Sequence, residues 1–188
     1  MSKQTVHKTS MDQLGRKDVS SFKSSKKFPI CIVLDNIRSL QNVGSFFRTA
    51  DSFLIESLYL CGITGTPPNK EIEKTALGST HSVDFKYFEN TLDALHDLKQ
   101  KGFRLAALEQ TDKSVWLQDF IPETDEKLAF IFGNEVFGVQ NEVLEMADIV
   151  LEIPQFGTKH SLNVSVSAGI VLWDTYLKNS LNLCKSPS

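Results

Sequence analysis

From Phe28 onward the chain alternates short β-rich runs with longer helical patterns, and several of the runs are apolar on both faces. The runs are ICIVLD (30–35), SLYLC (57–61), SVDFKYF (82–88), FRLAAL (103–108), LAFIFG (128–133) and IVLEI (149–153). A strand that is apolar on both faces needs cover on both, which is the situation of a parallel sheet flanked by helices. Stretches 42–54, 70–77, 90–101 and 140–147 carry helical patterns, and 163–179 is the longest, with Val164, Ala168, Leu172 and Tyr176 four apart on one face. The pattern predicts an α/β domain, a mostly parallel sheet with helices on both faces. A chain of 188 residues, 41% hydrophobic, has apolar material for one core, and that domain is placed at 29–181 with a short tail at 182–188.

The flanks differ in character from the domain. Residues 1–28 carry seven Lys or Arg against Asp12 and Asp18, a charge of +5, which leaves −8 on the remainder. Rich in Ser, Lys and Gln, this segment reads as a flexible arm, and it is either a grip on nucleic-acid phosphates or a tail that keeps the protein dispersed. No run of eighteen apolar residues and no signal-peptide pattern occurs, so neither a membrane span nor secretion is expected. Cys31, Cys61 and Cys184 are odd in number and far apart, which fits a reducing cytoplasm better than a disulfide framework and gives no zinc site.

In open α/β sheets ligands gather beyond the carboxyl ends of the strands. Three strand ends carry unusual chemistry: DNIRSLQNVGSFFRTAD after the first, GNEVFG after the fifth and PQFGTKHSLN after the sixth. Neither GxGxxG after the first strand nor GxxxxGK[ST] is present, which removes the main support for a dehydrogenase or an NTPase.

Together the three segments resemble the signature motifs of the SpoU (TrmH-like) branch of the SPOUT RNA methyltransferases. The first matches through Asn42, Gly44, Arg48, Thr49 and Ala50, and the second through Gly133, Glu135 and Gly138. The third matches through Ile153, Pro154, Gly157, Ser161, Leu162, Asn163, Val164 and Ser165. The resemblance implies a C-terminal deep trefoil knot, a homodimer with its active site at the subunit interface, and methyl transfer from S-adenosylmethionine to a ribose 2′-hydroxyl of RNA. It assigns cofactor binding to Leu108, Gly133, Asn134, Ile153, Ser161 and Leu162, with Gly133 and Gly157 permitting close backbone approach.

The resemblance makes Arg48, Asn42, Glu135 and Asn163 the catalytic set, and no metal is needed. The resemblance implies that Arg48 faces the partner subunit, where it would contact the target ribose and phosphate and help remove the 2′-hydroxyl proton. A guanidinium with a pKa above roughly 12 is a poor base, so Arg48 is either strongly perturbed or acts by binding phosphate and stabilising a developing alkoxide. Glu135 would join the first and third motifs by accepting a bond from Asn42 or Arg48, and Asn163 would orient the ribose or the arginine. Ser161 and Asn163 are also good helix N-caps by residue type. His160 is expected near the mouth of the site and not as a base.

Two other classes stay open: an RNA-binding assembly factor with the same fold but no catalysis, and a hydrolase pairing Glu135 with His160. For the substrate, the short polar segment before Phe28 tilts the expectation toward tRNA over rRNA.

Overall fold

The computed structural model describes residues 7–10 and 14–183. Lys3, Asp12, Cys184 and the rest of the tail lie outside the described residues. In chain order the elements are α1 (Val19–Ser24), β1 (Phe28–Asp35), α2 (Leu40–Ser52), β2 (Ile55–Cys61), α3 (Lys70–Ala76), β3 (Phe85–Phe88) and α4 (Thr91–Gln100), followed by β4 (Arg104–Leu108), β5 (Val115–Trp116), β6 (Leu128–Phe132), α5 (Asn141–Met146), β7 (Ile149–Glu152) and α6 (Val164–Leu183).

Seven strands form one sheet in the order β3-β2-β1-β6-β4-β7-β5, every pair parallel. Its centre is buried on both faces, as the uninterrupted apolar runs required. Ile30, Ile32, Leu34, Phe130 and Phe132 point to one face, where they meet Phe46 and Phe47 of α2 and Ala168 and Leu172 of α6. Cys31, Val33, Ala129 and Ile131 point to the other, against Leu95 and Leu98 of α4 and Val143 of α5. Burial pushes the Cys31 and Cys61 thiols up to about 12, so both are packing residues at neutral pH.

The helix starts follow local chemistry. Ser39 caps α2 by accepting from the Asn42 N–H at 3.2 Å, so the helix begins at Leu40, two residues before the expected 42. Asn163 caps α6, its Oδ1 accepting from the N–H groups of Ser165 at 2.9 Å and Val166 at 3.3 Å. The last helix runs to Leu183 rather than 179, taking in the start of the expected tail. Gly44 is required by contact between helices: a Cβ there would lie 2.1 Å from Thr75 Oγ1 and 2.2 Å from the Ile72 carbonyl oxygen, so α2 and α3 could not approach as they do.

Three readings need correction. The 82–88 run is a strand only over Phe85–Phe88, because Ser79–His81 form a 3-10 turn and the Ser82 hydroxyl bonds back to the Ser79 carbonyl at 3.1 Å. Strand β5 was not expected at all; its two residues pair with Leu151 and Glu152 far along the chain, a contact no local pattern announces. The segment expected as a flexible arm contains α1. Asp18 caps it at 2.7 Å from the Ser21 N–H, and Phe22 is buried in the main core beneath the Lys27 ammonium, 3.4 Å from the ring centre. One aromatic side chain in a basic, serine-rich stretch is enough to dock the helix, and burying it contributes on the order of 2 kcal/mol.

Because β1, β6, β4 and β7 are adjacent, their carboxyl ends lie side by side. The three unusual strand-end segments therefore converge.

Candidate active site

The segment after β6 is a tight loop built by Asn134. Its backbone N–H and carbonyl each bond to Gly138 at 2.9 Å, and its side-chain oxygen accepts from the N–H groups of Val136 at 2.9 Å and Phe137 at 3.2 Å. Its amide donates to the Asn36 carbonyl at 2.7 Å, fastening the loop to the connection between β1 and α2. Gly133 belongs to the same construction. A Cβ there would lie 2.2 Å from Gly138 C and Val139 N, so its missing side chain makes room for the chain's own loop and not, as expected, for a ligand edge. At Gly157, the other glycine expected to admit close backbone approach, an added Cβ meets nothing within 4 Å.

Held in this way, Glu135 reaches the start of α2. One carboxylate oxygen accepts from the Arg38 N–H at 2.9 Å; the other accepts from the Ser39 N–H at 3.0 Å and the Asn42 side-chain amide at 2.9 Å. An anion here also meets the positive end of the helix dipole. Burial raises the Glu135 carboxyl, but the bonds from Arg38, Asn42 and Ser39 outweigh it and hold the pKa below the ordinary glutamate value.

The chain of bonds continues. Asn42 Oδ1 accepts from the Asn163 amide at 3.1 Å, and Asn163 Oδ1 caps α6. A carboxylate only accepts, so Asn42 presents its NH₂ to Glu135 and its oxygen to Asn163, which fixes both amides in turn. Residues from all three segments are thereby joined in one polar relay, and one N–H of each amide is left without a protein partner among the described residues. Of the two partners expected for Glu135, Asn42 is present and Arg48 is not.

Beside the relay, at the ends of β4, β6 and β7, lies a cleft of about 780 Å³. All six residues expected to bind cofactor line it: Leu108, Gly133, Asn134, Ile153, Ser161 and Leu162. The Asn134 side-chain oxygen and one of its amide N–H groups are engaged in holding the loop. Glu135, Asn163 and His160 also line it, whereas Asn42 and Arg48 do not. Arg48 is exposed on α2, six residues after Asn42, which turns it about 120° round the helix and about 9 Å along it. Its guanidinium has no hydrogen bond or ion pair among the described residues. Glu135 has no bond to His160, and its acceptor capacity goes to Arg38, Ser39 and Asn42, so the hydrolase pair is not assembled.

Two acids that organise the site escaped the sequence reading. Glu109, just past β4, accepts from the N–H groups of Val139 at 3.0 Å and Gln110 at 2.8 Å, clamping the Gly138 loop from the opposite side. Asp35, fully buried at the end of β1, accepts from the Thr91 hydroxyl and the Gln140 amide, each at 2.7 Å. Their only sequence signal is an acid at the end of an apolar strand, in LEQ and LDN.

The charge of the cleft limits what it can hold. Glu109, Glu135 and Glu152 line it, and no Lys or Arg does. Leu108, Phe132, Ile153 and Leu162 are among the apolar residues of its wall. This combination suits a ligand with a flat apolar part and a positive charge, and S-adenosylmethionine, an adenine joined to a sulfonium, fits it.

A sequence model of the SpoU rRNA Methylase family matches residues 29–173. The chain is 31% identical over 147 residues to the 23S rRNA (guanosine-2′-O-)-methyltransferase of Neisseria meningitidis, covering 78% of this chain and 58% of that protein's length. Among solved structures, the A. aeolicus TrmH/SpoU tRNA modifying enzyme superposes with a TM-score of 0.77 at 26% identity, over 87% of this chain and 82% of that one. The AdoMet-bound rRNA methyltransferase from Sinorhizobium meliloti gives a TM-score of 0.75 at 26% identity, over 81% of this chain and 57% of that one.

Proposed function

Because the chain belongs to the SpoU rRNA methylase family, we propose that it transfers a methyl group from S-adenosylmethionine to a ribose 2′-hydroxyl of RNA. The observation that carries this reading is the relay from Glu135 through Asn42 to Asn163 at the edge of an acidic, partly apolar cleft. When bound, S-adenosylmethionine supplies an electrophilic methyl group on a cationic sulfur.

The protein's part is alignment and electrostatics. Leu108, Ile153 and Leu162 are placed to hold the apolar end of the cofactor, and the carboxylates of Glu109 and Glu152 favour its positive charge. The free amide N–H groups of Asn42 and Asn163 are donors for the ribose oxygens, held by the relay so that little is lost in ordering them. Arg48 stands outside the acidic cleft with its guanidinium available, which suits the RNA side of the reaction. There it binds phosphate and stabilises negative charge developing on the 2′-oxygen, and it stays protonated.

The second copy expected of a homodimer is assigned to α6. Val166, Ile170, Trp173 and Leu177 form one stripe at helical spacing, 38–53% exposed, an apolar face that a second copy would cover. α6 packs on α2, so a partner seated on the stripe lies on the layer that carries Arg48. Arg48 then completes the partner's site across the interface and not its own. The knot is proposed with it: β7 lies between β4 and β5, and the chain from β4 through β5 to β6 spans it before the path returns to α6.

For the substrate we propose tRNA. Support comes from the likeness to the A. aeolicus tRNA modifying enzyme, which superposes with a TM-score of 0.77 at 26% identity. The test is transfer of labelled methyl groups to total tRNA and, separately, to rRNA. Label in tRNA supports the reading, label in rRNA alone reassigns the substrate, and no label in either with cofactor bound overturns the activity.

A further inference from the structure

We propose that a second cleft, of about 580 Å³ and adjoining the first, is a subsite for an unpaired nucleobase next to the methylated nucleotide. It rests on the reading of the chain as an RNA methyltransferase, and it is read from Arg38, Ile63, Phe137 and Asn141. The two clefts share Asn134, Phe137, Gly138, Val139 and Asn141, so a strand entering one reaches the other directly.

The charge of this cleft is opposite to that of its neighbour. No Asp or Glu lines it, and Arg38 does. The Arg38 backbone N–H is tied to Glu135 at 2.9 Å, while its guanidinium has no hydrogen bond or ion pair among the described residues. A cation anchored to the polar relay at its root and free at its tip is suited to a phosphate or to the face of a base.

Two apolar side chains stand in water beside it. Phe137 is 84% exposed and Ile63 is 65% exposed. Neither sits on a loose loop: the Phe137 N–H bonds to Asn134 Oδ1 at 3.2 Å, and the Ile63 N–H to Asn36 Oδ1 at 3.2 Å. Holding an exposed aromatic ring on a braced loop, beside a free guanidinium, is the arrangement with which proteins stack single-stranded bases. Asn141, the first residue of α5, has a side-chain amide without a protein partner among the described residues. An amide offers one donor group and one acceptor, the pair that reads a base edge. RNA supplies both the anion for Arg38 and a flat apolar face for Phe137.

The test uses the full chain with total tRNA. Phe137→Ala is expected to raise the KM for tRNA by about tenfold, the scale of one lost base stack, and Arg38→Ala, at a residue that lines the second cleft and not the first, to raise it with the dissociation constant of S-adenosylmethionine unchanged within about twofold. Phe137→Trp should restore the KM. An unchanged KM in both alanine variants overturns the subsite. So does weaker cofactor binding with an unchanged KM in Arg38→Ala, which makes the second cleft part of the cofactor site, or a changed sedimentation coefficient in either variant, which places it between subunits. Retention of labelled tRNA on filters, measured without cofactor, reads the subsite apart from turnover. If the wild type transfers no methyl group, the proposed activity fails, and loss of retention in Phe137→Ala still supports the subsite while equal retention removes it.

Discussion

The side-chain amide of Asn163 donates to the amide oxygen of Asn42 at 3.1 Å, and through that bond the start of α6 is tied to α2 and to Glu135. The direction of the bond is set at its far end by the carboxylate, which leaves Asn42 no choice of orientation. Asn42→Asp replaces the donor facing Glu135 with a second acceptor of like charge. It is expected to lower stability by about 1.5 kcal/mol, the lower range for a hydrogen bond to a charged group, and to lower methyl transfer by at least ~10²-fold. Urea unfolding and turnover measured side by side check this; native stability in the variant would show that the relay is not under strain from charge.

Glu135 gives the relay a defined dependence on pH. Its folded pKa lies below the ordinary value because the bonds from Arg38, Asn42 and Ser39 outweigh burial. The stability it contributes is therefore complete above the unfolded glutamate value of roughly 4.3 and is lost as pH falls through the lower folded value. The difference in urea midpoint between wild type and Glu135→Gln should be constant from neutral pH to about 5 and shrink toward pH 3. A gap of equal size at neutral and at acid pH would remove Glu135 as its source.

The two motif glycines should separate cleanly. Gly133→Ala drives a Cβ to 2.2 Å from the backbone of Gly138 and Val139, and is expected to destabilise by about 1–3 kcal/mol, as overpacking does, while weakening cofactor binding through the displaced loop. Gly157→Ala meets nothing within 4 Å and should leave the melting temperature unchanged. Equal melting temperatures for both variants would contradict the close approach at Gly133.

These contrasts mark what was legible in the sequence. The central strands could be read because they carry apolar residues on both faces, a pattern set by burial on two sides. The relay residues could be named because Asn42, Glu135 and Asn163 fall in the motifs that resemble the SpoU family, and the parallel sheet brings those strand-end segments to one side. What could not be read depends on distant partners. The carboxylates of Asp35 and Glu109 are organisers only because Gln140 and Val139 arrive opposite them. Strand β5 exists only where β7 runs beside it, and α1 is held by the single side chain of Phe22. Even where a motif named the residue, it did not give the facing: Arg48 points away from Asn42 because six residues are not a whole number of helical turns.

Phe22 changes how the basic arm should be tested. A deletion reaching past α1 would strip a core residue, and Phe22→Ala by itself is expected to cost about 3 kcal/mol. Removing residues 1–16 instead spares α1. If the arm grips RNA, that deletion flattens the plot of log affinity for tRNA against log salt and leaves the melting temperature alone. An unchanged slope would leave the arm without a role in binding.

The central claim is that the relay and Arg48 together direct a methyl group to a ribose 2′-hydroxyl. The most direct measurement is to incubate the full chain with labelled S-adenosylmethionine and total tRNA, hydrolyse the RNA in alkali and identify the labelled products. A 2′-O-methyl group blocks cleavage of its own phosphodiester, so label is expected in alkali-resistant dinucleotides. Arg48→Ala should reduce that label by at least ~10²-fold with cofactor affinity unchanged. Label recovered only in mononucleotides methylated on the base, or equal label with and without the Arg48 guanidinium, would contradict it.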